Sequence, residues 1–231
     1  MTPVSPLYVS RFTAWAPGLD RLELWQAWAA DNREIPGSEE SPGAGRNPAL
    51  EFIDPLLRRR ISRISRMTIQ VLHDLLPVGE DIRILFFSFR GEITQQLRIN
   101  QGLIEEYTVR PAVFSLSVFT TPVALATIAL NLRAGYSAIY PGEGRFNTGL
   151  RAAAAPVAAG DVERMVLVYA DEPAPEEYGA LCPRENGSLA LGAILSSQNS
   201  EGALPLEVAD GTSPGNFLRS LLRRGVPYGS P

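Results

Sequence analysis

Ser137 to Ala153 reads SAIYPGEGRFNTGLRAA. It is a short run of strand-forming residues, a tight Pro-Gly-Glu-Gly turn, and then a stretch of small residues suited to a helix. A residue held in such a turn faces the free amides and positive dipole end of the following helix. That setting lowers the pKa of a thiol and prepares it to accept an acyl group. The residue in the turn is Glu143, however. The same field favours its carboxylate, but acylation would give a mixed anhydride, a poor stable intermediate. Two readings stay open: a nucleophile's position now filled by an acid, or an ordinary loop. In the second, Pro141, Gly142 and Gly144 turn the chain and Glu143 is a first-turn acid.

The remaining reactive residues narrow the chemistry. Cys182 is the only cysteine and His73 the only histidine, which excludes an internal disulfide and leaves too few ligands for a Cys/His zinc site. No Cys-His-His or Cys-His-Asn set can form around the turn. Cys182 precedes Pro183 in an expected loop, and His73 falls on an expected helix. Glu143, Asp171 and Glu172 are candidate acids or bases without an evident constellation, and neither G-x-S-x-G nor a P-loop occurs. The expectation is no cofactor and no metal.

Composition sets the frame around these residues. The chain has 231 residues, 45% hydrophobic and 20% charged, in line with a folded globular protein, here expected as one domain over 1–231. No apolar run approaches the roughly 20 residues that span a bilayer, and MTPVSPLYVSRF lacks the basic-then-apolar pattern of a secretory signal. A cytoplasmic location is expected. A net charge of -4 argues against nonspecific nucleic-acid binding, which rests on phosphate neutralisation. Basic residues nevertheless cluster at Arg58, Arg59, Arg60, Arg63 and Arg66.

The elements that must position the turn follow from pattern. Strands are expected at Leu7–Trp15, Asp81–Phe89, Ser137–Tyr140, Val166–Tyr169 and Ser188–Leu195. Helices are expected at Leu19–Ala30, Glu92–Tyr107 and Asn216–Arg224, with one at Phe146–Ala158 interrupted or ended near Pro156. Asp54-Pro55 caps a continuous helix to Leu76, with Leu57, Ile61, Ile64, Val71 and Leu75 on its buried stripe and Arg59, Arg63 and Arg66 on another face. The helix at 121–132, TPVALATIALNL, is apolar or small on nearly every side and should be covered all round, whereas one sheet covers only one face. Residues 31–49 read as a flexible loop and about 198–231 as a C-terminal extension. Alternating strands and helices imply an α/β domain with a mixed, mostly parallel sheet and helices on both faces.

Several motifs together resemble the short ketosynthase-like proteins of the β-ketoacyl synthase N-terminal-domain family, the chain-length factors of aryl-polyene and related pathways. They are FTAWAPGL at Phe12–Leu19, Trp25 and Trp28, RRRISRISRM at Arg58–Met67, FFSFRGE at Phe86–Glu92, FSLSV at Phe114–Val118, GEGRFNTGL at Gly142–Leu150, and VLVYADEPAPEEY at Val166–Tyr178. Their order and spacing carry the resemblance over most of the chain.

It implies the N-terminal half of a thiolase-like fold, with Glu143 where a ketosynthase has its nucleophilic cysteine. Full ketosynthases are roughly twice as long and carry their catalytic histidines in the later half. The implied role is a noncatalytic subunit that pairs with a complete β-ketoacyl-ACP synthase as a heterodimer and meets an acyl carrier protein transiently. Val113, Phe114, Ser117, Val118 and Phe119 then line the acyl tunnel and subunit boundary beside Gly142 and Glu143, while Arg59, Arg63 and Arg66 are candidates for carrier-protein docking.

Two departures from the family pattern touch this region. Relatives read Ser-Val-His-Asn-Ala where this chain has Ser117-Val118-Phe119-Thr120-Thr121, followed by Pro122, which points to a helix that begins later than Thr121. Relatives have Arg-His before Gly-Glu, and here Phe89-Arg90 precede Gly91-Glu92. A homodimeric acyl-binding scaffold and an independent carboxylate-based enzyme are the alternative functions.

Overall fold

The computed structural model of the protein describes residues 6–31, 35, 47–142, 144–181 and 187–229. Glu143, Cys182 and most of the expected 31–49 loop lie outside these residues.

Six strands form one sheet: β1 (Tyr8–Trp15), β2 (Ile84–Phe87), β3 (Tyr136–Ile139), β4 (Arg164–Asp171), β5 (Leu189–Ser196) and β6 (Leu204–Pro205), in the order β3-β2-β4-β5-β1-β6. β2 runs parallel to both β3 and β4, with Phe86 level with Ala138 on one side and Val168 on the other. β5 lies antiparallel to β4 and β1, and β6 antiparallel to β1. The sheet is mixed, as expected, but its parallel part is the smaller one. The chain returns through β5 between β1 and β4, so both long ladders are antiparallel. β2, β4 and β5 read as continuous apolar runs because both faces of the sheet are covered.

On one face lie α1 (Leu22–Ala30), α7 (Phe146–Ala159) and α8 (Pro214–Arg223), whose Trp25, Phe146, Leu150, Phe217 and Leu218 pack on Phe12, Phe87, Leu167 and Leu191. On the other lie α3 (Arg63–Leu75) and α6 (Thr121–Ala129), whose Ile64, Met67, Val71, Val123 and Ala126 pack on Phe86, Val166, Val168 and Ile194. The segment after residue 198 is woven into this body. β6 pairs with β1, the Tyr228 hydroxyl donates to Ala14 O at 2.9 Å, and Arg219 lies 4.2 Å over the Trp28 ring.

The continuous helix expected from Asp54 to Leu76 is two helices, α2 (Pro55–Arg60) and α3. Ile61 is extended, and Ser62 caps α3 by accepting the Ser65 N–H at 3.2 Å. A serine cap competes well with continued helix at that position. Asp54 caps α2 as expected, accepting from Leu56 N and Leu57 N. Pro122 does not delay α6, because it falls in the first turn, where a missing N–H costs nothing. α7 continues through Pro156 to Ala159 and closes on Gly160 at φ 79°. Two further helices, α4 (Ile93–Glu105) and α5 (Pro111–Ser115), and a short 3-10 helix (Glu176–Leu181) complete the elements among the described residues. Among the described residues no helix is long and apolar enough to cross a membrane.

Candidate functional site

The Pro141–Arg145 segment is the turn of a strand–turn–helix connection. β3 ends at Ile139, Gly142 and Gly144 take positive φ of 82° and 71°, and α7 begins at Phe146. Those backbone angles explain both glycines, since a side chain is strained there. The cap residue Arg145 makes no side-chain cap bond. α7 is held at its first turn by Phe146, fully buried against Phe87, Tyr169 and Phe217 with ring centroids 5.2–5.6 Å apart.

The segment 111–120 divides into two sets. Phe119 turns inward: its ring centroid is 6.0 Å from Phe86 and 6.0 Å from Tyr140, the residue that leaves β3 for the turn. Phe114 and Val118 point out and are 60% and 48% exposed. Val113 borders a cleft of about 240 Å³ between α4 and α5 with Arg98, Ile99, Gly102 and Val109, and the Ser117 hydroxyl donates to Phe114 O at 2.9 Å. Of these five residues, Phe119 is brought to the strand–turn–helix through Tyr140.

The arginines do not share one helix face, because α2 and α3 are separate. Arg59 is exposed at the end of α2. Arg63 Nε donates to Asn47 Oδ1 at 3.1 Å, and Arg66 donates to Pro48 O at 3.4 Å and to Arg58 O. Both therefore fasten the chain before α2. Burial, with Arg58 nearby, lowers the Arg66 pKa.

The acids are buried braces. Asp171, 1% exposed at the end of β4, accepts from the Ser88 hydroxyl at 2.6 Å, Phe89 N at 2.8 Å and Arg90 N at 3.0 Å. Burial pushes its pKa up to about 6 against those bonds. Glu172 is buried too, its pKa raised by desolvation, and its Oε1 has no hydrogen-bond partner among the described residues. Its main-chain oxygen accepts from Arg90 Nη1 at 2.7 Å. Asp171 and Glu172 thus join the end of β4 to the turn after β2.

Glu92 is the residue that sequence reasoning passed over. It is 3% exposed and accepts from the Ser62 hydroxyl at 2.6 Å and the Ser65 hydroxyl at 2.8 Å, tying the start of α4 to the start of α3. Burial is the main cause that pushes its pKa up to about 7, and the charge of Glu172 adds to it. Only the acid in FFSFRGE marked it, with no period to show that it turns inward.

A surface feature completes the picture. Eight of the eleven large apolar side chains that are exposed among the described residues come from Leu103 to Tyr140: Leu103, Ile104, Tyr107, Phe114, Val118, Ile128, Tyr136 and Tyr140. Among the described residues β3 sits at the sheet edge and is bonded on one side only, to β2. α6 is covered on its Val123 and Ala126 side, while Ile128 is 72% exposed. The all-round cover expected for this helix is absent from the single chain. Among the described residues no group of three or more His, Cys, Asp or Glu is placed to hold a metal.

The family profile described as "Beta-ketoacyl synthase, N-terminal domain" matches residues 25–216. The chain belongs to the β-ketoacyl synthase N-terminal-domain family.

Its fold is the thiolase-like fold of ketosynthases. It is similar to the structure "Ketosynthase (ApeO) in Complex with its Chain Length Factor (ApeC) from Xenorhabdus doucetiae", with a TM-score of 0.75 at 24% identity over 94% of this chain and 92% of that one. It is similar also to "The ishigamide ketosynthase/chain length factor", with a TM-score of 0.61 at 12% identity over 87% of this chain and 64% of that one. A third is a type II PKS acyl-carrier protein in complex with its ketosynthase bound to the hexaketide, with a TM-score of 0.56 at 14% identity over 83% of this chain and 62% of that one. No curated protein sequence matches this one. The strand–turn–helix at β3 and α7 carries Gly142 and Gly144 on either side of position 143.

Proposed function

We propose that this chain is a noncatalytic ketosynthase-like subunit, a chain-length factor, that pairs with a complete β-ketoacyl-ACP synthase and shapes the tunnel receiving its growing acyl chain. The observation that carries the reading is that eight of the eleven exposed large apolar side chains among the described residues come from Leu103 to Tyr140, the stretch that includes the edge strand β3. Exposed large apolar side chains mark an interface where they gather on one surface, and an open strand edge is a template for pairing. An obligate partner interface is large and apolar. The similarity in fold to a ketosynthase solved with its chain-length factor makes a ketosynthase the fitting partner.

Catalysis belongs to that partner. Glu143 stands at the elbow where the family's nucleophile stands and cannot form a stable acyl adduct. Phe119, packed on Phe86 and Tyr140 beside the elbow, is the tunnel stop in this reading, while Phe114 and Val118 face the partner. Val113 and Ser117 support the same segment. The exposed Arg59 offers a charge to an acidic carrier protein, and Arg63 and Arg66 hold the adjoining chain in place. The product is a conjugated polyene or related lipid, made in the cytoplasm.

Reconstituted chain extension tests this role. The ketosynthase is supplied with carrier-protein-bound substrates, with and without this chain, and product lengths are read by mass spectrometry. The chain is expected to fix the length distribution. Identical distributions in both mixtures would contradict the reading.

A further inference from the structure

The ring of Phe119 rests on the main chain of Gly91. Gly91 has φ 59°, and a Cβ added there would lie 2.7 Å from Phe119 Cδ2 and 3.3 Å from Cε2. Contacts under about 3 Å between such atoms do not persist, so only glycine admits the ring at this height. The floor itself is fixed. The Gly91 N–H donates to Ser88 Oγ at 2.7 Å, the Ser88 hydroxyl donates to Asp171 at 2.6 Å, and Asp171 also accepts from Phe89 N and Arg90 N. Asp171 is anchored in turn by β4, which pairs on both sides. The ring's other neighbours are aromatic, Phe86 in the sheet and Tyr140 on the approach to the elbow. A ring raised off the turn therefore moves in the space next to Tyr140.

We propose that Gly91 is a positioning residue that sets how deeply the Phe119 ring sits, and through that ring the longest acyl chain the pair accepts. The inference rests on the reading of Phe119 as the tunnel stop. It adds that the stop is set by a second residue, which touches no acyl chain itself. One methyl group at residue 91 lifts the ring into the tunnel and shortens the product, whereas removal of the ring lengthens it. With the ring gone, the methyl has nothing to push.

The test uses the chain paired with its ketosynthase, in four forms: unchanged, Gly91→Ala, Phe119→Ala and the double variant. Product lengths and the Tm of each pair are measured. Gly91→Ala is expected to cause a several-fold fall in the longest product, Phe119→Ala a several-fold rise, and the double variant the distribution of Phe119→Ala. Alanine at positive φ is strained in either background, so the part of the Tm loss that disappears with the ring reports the Phe119 contact alone.

If Phe119→Ala lengthens products and Gly91→Ala leaves them unchanged, the role of Gly91 is overturned while the tunnel stop stands. If Phe119→Ala changes nothing, the tunnel-stop reading fails and takes this inference with it. Should Gly91→Ala alone fail to fold, recovery of folding in the double variant supports the contact, whereas failure of both assigns the need for glycine to its positive φ and overturns the ring contact as its cause.

Discussion

Gly149 lies against the ring of Phe87 so closely that a Cβ there would come within 2.4 Å of Phe87 Cε2 and 2.5 Å of Cζ. The helix that follows the turn at 140–145 therefore brings its main chain close against the Phe87 ring of β2 at this point. Phe87 cannot retreat, being fully buried between Phe146 and Tyr169 at ring-centroid distances of 5.2 and 5.3 Å. Gly149→Ala gains about 1 kcal/mol in helix propensity and meets an overpacking cost of roughly 1–3 kcal/mol. The cost is expected to win, with a Tm lowered by roughly 2–4 °C for each kcal/mol lost. Thermal unfolding followed by circular dichroism checks it, and an unchanged or raised Tm would show that the ring yields.

Glu92 gives stability a pH dependence of known sign. Its folded pKa, about 7, exceeds the ordinary value of 4.5. Between those values the folded chain holds a proton that the unfolded chain has released. Its contribution is therefore fully present below about pH 4.5 and is lost as pH rises through about 7. Asp171, raised to about 6, acts in the same direction. Glu92→Gln keeps an oxygen for Ser62 and Ser65 and removes the charge. It should flatten this part of the profile and raise stability at pH 8 by on the order of 3 kcal/mol. Denaturant unfolding at pH 5 and pH 8 measures it, and an equally steep fall in the variant would count against Glu92.

Asp171 should matter as a brace. Asp171→Ala leaves a buried hydroxyl on Ser88 and the Phe89 N–H without their acceptor, and leaves the Arg90 N–H only its longer bond to Ser88 Oγ at 3.3 Å. Each unmade bond costs about 1–3 kcal/mol. The expected loss is several kcal/mol, with hydrogen exchange accelerated first at Phe89 to Gly91. Exchange that speeds up elsewhere and spares this turn would contradict the assignment.

The apolar edge makes a separable prediction. Ile128 is 72% exposed and Phe114 60%, so Ile128→Arg and Phe114→Arg should leave the fold of the single chain intact within about 0.5 kcal/mol. A charge forced into an apolar interface should weaken pairing at least tenfold, or about 1.4 kcal/mol. Sedimentation of the mixed subunits reads the effect. Full pairing by both variants would move the interface elsewhere.

Much of the framework was legible because it follows short-range rules. The strands at Tyr8–Trp15 and Leu189–Ser196 announce themselves as β-forming apolar runs, Asp54-Pro55 marks a helix start, and the glycines around position 143 mark a turn. Some features depended on tertiary competition instead. The break at Ile61-Ser62 arises because Ser62 both caps α3 and bonds Glu92, 30 residues on. The greater antiparallel share of the sheet depends on β5 inserting between β1 and β4, which no local pattern records. At the site, motif order pointed to the segment 111–120, yet only packing shows that Phe119 turns inward while Phe114 and Val118 turn out. Glu92, Ser62 and Ser65 looked like ordinary polar residues until the fold buried them together.

Native mass spectrometry of this chain coexpressed with the complete ketosynthase tests the central claim most directly. A one-to-one complex that holds together on purification is expected. A chain recovered only as a stable monomer or homodimer, with the ketosynthase fully assembled without it, would contradict the account.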